Sequence, residues 1–248
     1  MVTTLPRVLL VEDDAHVRRF VQLALEDLDI ALVPCATLAE ARNAWTAGPA
    51  AVVLTDLTLP DGSGLDLLAG LAAAQAGGAA AVCRMVVFSG GVDGAAERQL
   101  AALKVWRVLR KPASVGALIG CISDALASLA AAPPGDASAP PAAPARDPAV
   151  EFFGGDRALY AAYRQACLAQ FAHDLAAGDA AMAAADGAAV QRVAHNLKSV
   201  LTMLGEGGAA RLARATEELA AEGGAVGAPL AQAWLRLRQQ VAAVVAAG

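Results

Sequence analysis

The chain has 248 residues, 57% hydrophobic and only 4% aromatic, with 19 Lys and Arg against 24 Asp and Glu for a formal charge of -5. That length suits two compact domains better than one, and the alanine-weighted apolar content favours helix packing over thick apolar sheets. Residues 1–130 and 131–248 carry net charges of -3 and -2, so neither half has the basic excess that holding a phosphate backbone requires, and no nucleic-acid partner is expected.

The opening MVTTLPRVLLVEDD meets acids before any apolar run reaches signal-peptide length. No stretch of about 18 uncharged apolar residues follows, so a soluble, cytoplasmic protein without direct membrane insertion is expected. Cys35, Cys83, Cys121 and Cys167 fall in four separate segments, too far apart for a CxxC pair, and read as reduced, buried thiols.

Short apolar runs punctuate the first half: VLLV (8–11), IALV (30–33), VVLT (52–55), MVVF (85–88) and VWRVL (105–109). They read as buried strands of a parallel sheet. Helical spacing fills the intervals near 15–28, 37–47, 64–76 and 93–103, and again over 114–130. Five βα units predict an α/β doubly wound, open, five-stranded parallel sheet over residues 1–130.

Ligands of such sheets bind beyond the carboxyl ends of the strands. The predicted strands put Glu12 and Asp13 after the first, Asp56 at the end of the third, Ser89 after the fourth and Lys111 after the fifth. Three carboxylates in one crevice repel one another, so a hard cation with oxygen ligands, Mg²⁺, suits them. Lys111 adds a positive charge, and Pro112 biases it toward an extended conformation. Phosphoryl transfer to a carboxylate fits this set: Asp56 as nucleophile, Mg²⁺ and Lys111 neutralising the phosphoryl oxygens, the Ser89 hydroxyl binding one of them. Singly each residue has a plainer role, such as a turn for Ser89 or a helix cap for Asp13 or Asp14. Their shared sheet edge argues for the site.

The segments VLLVEDD, VLTDLTLPDGSGLDLL, VVFSG and LRKP resemble the receiver domain of two-component response regulators over about residues 5–130. The resemblance implies a flavodoxin-like fold, a metal site on Glu12 and Asp13 completed by Asp56 and the backbone carbonyl of Thr58, and phosphorylation of Asp56. Asp14 falls one place past the family's acidic pair and is assigned as a helix cap. Many receivers carry an aromatic switch residue three positions before the lysine, where this chain has Val108; Trp106 lies two residues away, on the same face of the strand.

Residues 131–148, AAPPGDASAPPAAPARDP, form a Pro/Ala-rich linker by composition. Beyond it no strand pattern survives. Helices near 156–177, 187–204, 206–222 and 228–246 predict an all-α four-helix bundle over 149–248. Around AHNLKSV, the positions Val190, Val193, Ala194, Leu197, Val200, Leu201 and Leu204 step by three and four as a buried stripe. His195 lies off it with Gln191, Arg192, Lys198, Ser199 and Thr202, so an exposed ring among small or basic neighbours is expected. An exposed imidazole offers an unprotonated nitrogen near neutral pH. His16 and His173 read as solvated surface histidines.

HNLKS followed by MLG resembles the motif of the histidine phosphotransfer (HPt) domain over roughly residues 150–246, with Ser199 where the pattern has glycine. The resemblance implies that His195 accepts or donates a phosphoryl group whose oxygens Arg192 and Lys198 hold.

The two resemblances together imply a phosphorelay signalling protein. Asp56 takes its phosphoryl group from a sensor histidine kinase; His195 exchanges with Asp56 or serves a downstream receiver protein. The alternative is a receiver-regulated dimerisation or partner-docking module in which His195 is not phosphorylated. Only 53 residues follow His195, without a Gly-rich nucleotide loop, so no kinase activity is expected from this chain itself.

Overall fold

The computed structural model describes residues 5–78, 82–91, 94–130, 147–222 and 226–247. The chain divides into two compact units, Met1–Arg146 and Asp147–Gly248. No helix among the described residues is long and apolar enough to cross a membrane.

The first unit runs β1 (Arg7–Val11), α1 (Ala15–Ala24), β2 (Ala31–Cys35), α2 (Leu38–Thr46), β3 (Val52–Thr55), β4 (Thr58–Leu59), β5 (Gly62–Ser63), α3 (Gly64–Ala76), β6 (Arg84–Ser89), α4 (Gly94–Ala102), β7 (Arg107–Arg110) and α5 (Val115–Ala130). Five strands form one parallel sheet in the order β2-β1-β3-β6-β7. Val8 to Val11, Val52 to Leu54 and Met85 to Phe88 are all buried, as expected of central strands covered on both faces. The order reverses between β1 and β3, so the crevice beyond their carboxyl ends is the ligand-binding position of such a sheet.

Local capping fixes where the helices start. Asp14 caps α1 by accepting hydrogen bonds from the His16 and Val17 N–H groups at 2.8 and 3.4 Å. Thr37 and Glu40 work as a capping box on α2: the Thr37 hydroxyl accepts from Glu40 N–H, and the Glu40 carboxylate from Ala36 N–H. A second acid joins from the antiparallel β4–β5 turn, where Asp61 accepts from the N–H groups of Leu38 and Ala39 at 2.8 and 2.9 Å. That two-residue ladder is too short for any periodicity to predict.

Two expectations need correction here. Trp106 precedes β7 rather than sharing a strand face with Val108; its N–H donates to the Met85 carbonyl, and the Arg107 guanidinium sits 4.4 Å over its ring. His16, in the first turn of α1, is buried, not solvated.

Among the described residues, the elements of the second unit are all helices: α6 (Pro148–Phe153), α7 (Arg157–Ala183), α8 (Gly187–Met203), α9 (Gly207–Glu222) and α10 (Ala228–Ala246). α7 packs on α8 and α10, and α9 on α8 and α10. Of the predicted linker, 131–146 lies outside the described residues, and its last residue, Pro148, belongs instead to α6. Asp147 accepts from Ala149 N–H at 3.0 Å as the cap, and Pro148 takes the first helical position, where its missing N–H costs nothing. Phe153 anchors the short helix edge-on against Tyr160 at 5.4 Å.

α7 continues six residues beyond its predicted end at 177. Gly178 is a packing notch: a Cβ there would lie 2.0 Å from the Trp234 ring. The Trp234 indole N–H donates to Asp179 at 2.9 Å, and Arg238 pairs with the same carboxylate. Four described cysteines, Cys35, Cys83, Cys121 and Cys167, are free and buried.

Candidate functional site

Strand ends assemble the acidic crevice. Glu12 and Asp13 leave β1, Asp56 follows β3, Ser89 closes β6 and Lys111 follows β7, with a cis peptide bond joining Lys111 to Pro112. Carboxylate oxygens of Glu12, Asp13 and Asp56 all lie within 4.8 Å of one another. Lys111 Nζ stands 2.5 Å from Glu12 Oε2 and 2.7 Å from Asp56 Oδ2, with Lys111 only 4% exposed. Asp56 Oδ1 accepts from Leu57 N–H at 2.6 Å. Ser89 is buried and its hydroxyl donates to the Gly91 carbonyl at 3.4 Å. Thr58 opens β4 one residue beyond Leu57, paired with Ser63.

Gly64 was given no role by sequence reasoning. A Cβ there would come within 1.9 Å of the Asp56 carbonyl oxygen, so only glycine lets α3 start against the backbone of the central aspartate. The signal was the second glycine of LPDGSG.

The charges do not balance. Three carboxylates surround one ammonium, and burial lifts the Glu12 pKa from 4.5 to about 8, with Lys111 opposing the rise and Asp56 and Asp14 adding to it. Asp13 is also raised, first by burial and then by Asp14. Lys111 is held above its ordinary value: burial lowers it, but Glu12 and Asp56 outweigh that. Glu12 Oε2 receives no hydrogen bond of good angle and is held by the Lys111 charge alone. An all-oxygen donor set with an under-satisfied carboxylate and excess negative charge fits a hard divalent cation.

Stability should register this. A group whose pKa is raised on folding contributes stability below its unfolded value, and that contribution is lost as pH rises through the folded one. Metal-free, Glu12's contribution is therefore lost between 4.5 and about 8. Thermal unfolding across roughly pH 5.5 to 9, with and without Mg²⁺, should show the largest metal-induced rise in Tm at the alkaline end. A metal response that does not depend on pH contradicts this.

The model of the response regulator receiver domain family matches residues 8–123. That segment is a response regulator receiver domain. Similar solved structures include a CheY-like receiver domain protein from Methanospirillum hungatei JF-1 at 20% identity, covering 51% of this chain and 98% of that one with a TM-score of 0.47. The signal receiver domain of an HD domain-containing protein from Pseudomonas fluorescens Pf-5 is 21% identical, covering 52% and 93% with a TM-score of 0.47. A receiver protein from Pseudomonas putida is 28% identical, covering 49% and 98% with a TM-score of 0.44. No curated protein matches the chain.

On the receiver domain, Val108 is 39% exposed on the edge strand β7. Beside it Arg110 pairs with Glu97 of α4 and Arg107 with Asp124 of α5.

The helical unit carries the second candidate. His195 on α8 is 34% exposed, and its Nδ1 lies 2.6 Å from Glu217 Oε1 on α9. Lys198 Nζ lies 2.6 Å from the other oxygen of the same carboxylate. Glu217 is held below its ordinary pKa: burial raises it, but hydrogen bonds from His195 and Lys198 outweigh that. Arg192 is exposed one turn earlier. Ser199 and Thr202 turn their hydroxyls back onto the carbonyls of His195 and Lys198.

Two corrections follow. The ring is partly covered rather than fully exposed, and its neighbours include an acid as well as bases. Glu217 stands 22 residues downstream, on another helix, where the spacing within α8 carries no trace of it. The ATEELA run of α9 was the available signal. Gly205, from the MLG segment, adopts φ 77° just after α8, and a Cβ there would strike the Pro148 ring.

Proposed function

We propose that the chain is a two-component phosphorelay protein in which the receiver accepts a phosphoryl group on Asp56 and the helical unit, a four-helix phosphotransfer module of HPt type, carries one on His195. The receiver domain implies a phosphodonor such as a sensor histidine kinase. The observation that carries the first half is Lys111 bridging Glu12 and Asp56 at 2.5 and 2.7 Å inside the acid crevice.

In this mechanism an Asp56 carboxylate oxygen attacks phosphorus as the N–P bond of the donor's phosphohistidine breaks, and the freed imidazole leaves. Lys111 moves its charge from the carboxylates to the phosphoryl oxygens, and Ser89 Oγ gives up the Gly91 carbonyl to donate to one of them. Glu12, Asp13, Asp56 and the Thr58 carbonyl would hold Mg²⁺, which would supply charge neutralisation at the phosphoryl group. The chain needs no nucleotide site, because the donor brings the activated phosphoryl group. It acts in the cytoplasm, and His195 exchanges with Asp56 of this or another copy or supplies a downstream receiver.

The half-exposed His195 ring, set among Glu217, Lys198 and Arg192, supports the second half. His195→Gln tests it. After incubation with Mg²⁺ and a small phosphodonor, acid-labile label should be lost to background while acid-stable, hydroxylamine-labile label on Asp56 is kept. Undiminished acid-labile label would return the helical unit to a docking or dimerisation role.

A further inference from the structure

The start of α2 has more side-chain acceptors than a helix start requires. Thr37 and Glu40 already form a capping box on the Glu40 and Ala36 N–H groups, and water commonly serves the other amides of a helix end. Asp61 takes them instead, from 23 and 22 residues downstream and with one carboxylate oxygen each: Oδ1 accepts from Leu38 N–H at 2.8 Å and Oδ2 from Ala39 N–H at 2.9 Å. The Leu38 N–H above all, with Ala39 behind it, outweighs a slight burial and holds this exposed carboxyl below its ordinary pKa, so it is ionised at neutral pH.

What needs the contact is the turn that bears Asp61. β4 and β5 share two residue pairs, Thr58 with Ser63 and Leu59 with Gly62, and a two-stranded ladder is marginal by itself. Thr58, Pro60, Asp61 and Gly62 are exposed; Leu59 is the one buried residue of the turn, in the same core cluster as Leu38. The turn nevertheless begins just after Leu57, whose N–H donates to Asp56 Oδ1, and it holds Thr58, whose carbonyl would complete the metal site. The start of α2 is tied to the other side of that site as well, because the Cys35 carbonyl, two residues before the cap, accepts from Glu12 N–H at 3.0 Å. Residues 35–39 therefore join the segment of Glu12 and Asp13 to the segment of Asp56 and Thr58, and Asp61 supplies the hydrogen bonds of the second join.

We propose that Asp61 is a positioning residue: by clamping the β4–β5 turn to the first turn of α2, it fixes the Thr58 carbonyl relative to Glu12 and Asp56 and so pre-forms the Mg²⁺ site. This rests on the metal-site reading given above. Both Asp61 oxygens are committed to α2, so its effect reaches the ion only through the turn. Without the clamp the turn must be ordered when the ion binds, and that ordering is subtracted from affinity.

Mg²⁺ titration of the full chain, followed by backbone amide shifts, tests the proposal. Asp61→Ala should raise the Mg²⁺ dissociation constant roughly tenfold, the low end of what losing the support of a metal ligand costs, and should speed hydrogen exchange at the Leu38 and Ala39 amides. Asp61→Asn, with a single acceptor oxygen, should fall between Ala and wild type. Thr37→Ala is the control: it removes a cap from the same helix and lowers Tm, but leaves the clamp in place and should bind Mg²⁺ as wild type does. Wild-type affinity in Asp61→Ala overturns the proposal. An equal weakening in Thr37→Ala does so too, since the stability of α2 would then set the affinity. A wild-type chain with no saturable Mg²⁺ response removes the metal-site reading itself, and the role of Asp61 falls with it.

Discussion

Asp56→Asn is expected to abolish the acid-stable, hydroxylamine-labile label altogether while leaving the receiver domain folded. The carboxylate oxygen is the bond-forming atom, and an amide oxygen beside the same lysine is too weak a nucleophile to replace it. Folding should survive because Asp56 is one of three acids crowding a single buried ammonium, and its charge contributes to the raised pKa of Glu12. Removing it leaves the Glu12–Lys111 pair at 2.5 Å with less repulsion around it. Thermal unfolding of the metal-free variant should therefore give a Tm equal to or above wild type, and the metal-induced rise should shrink with one ligand gone. Retained hydroxylamine-labile label would move the phosphorylation site elsewhere.

Gly178→Ala should destabilise the helical unit by roughly 1–3 kcal/mol, the usual cost of forcing a methyl group into a filled core. The ordinary consequence of glycine to alanine inside a helix is the opposite, a gain of about 0.4–1 kcal/mol from a less free unfolded chain. The sign is decided by Trp234, whose ring atoms lie 2.0 and 2.2 Å from the position the new Cβ would take. That ring is buried and tied through its N–H to Asp179, so it has no free direction of retreat. Gly208→Ala in the first turn of α9 is the control, since nothing lies within 4 Å of its added methyl. Urea unfolding followed by tryptophan fluorescence separates the two. Equal stability of Gly178→Ala and wild type would mean that α7 and α10 do not pack this closely.

What could be read from residues alone follows from where the information sits. Central strands such as VVLT and MVVF are covered on both faces, so their continuous apolar runs mark them within a few residues, and the strand ends then bring Glu12, Asp13, Asp56 and Lys111 to one edge. The β4–β5 turn and α6 escaped because each is too short for a period, and α6 takes its cap Asp147 and first residue Pro148 from the end of the Pro/Ala-rich stretch. α7 outran its prediction because Gly178 is a notch for a ring 56 positions later, a tertiary fact that overrides local propensity. Glu217 escaped for the same reason. The face of α8 that bears His195 was legible as polar; the acid that completes it comes from a neighbouring helix, and only packing brings the two together.

The most direct measurement of the relay uses two variants that each keep one site. His195→Gln protein is loaded on Asp56 with a small phosphodonor and Mg²⁺, freed of donor, and mixed with unlabelled Asp56→Asn protein. Acid-labile label appearing on the Asp56→Asn protein, faster than the first protein hydrolyses, is the predicted result. Label that stays on Asp56 until it is lost to water, with none reaching His195, would contradict exchange between the two sites.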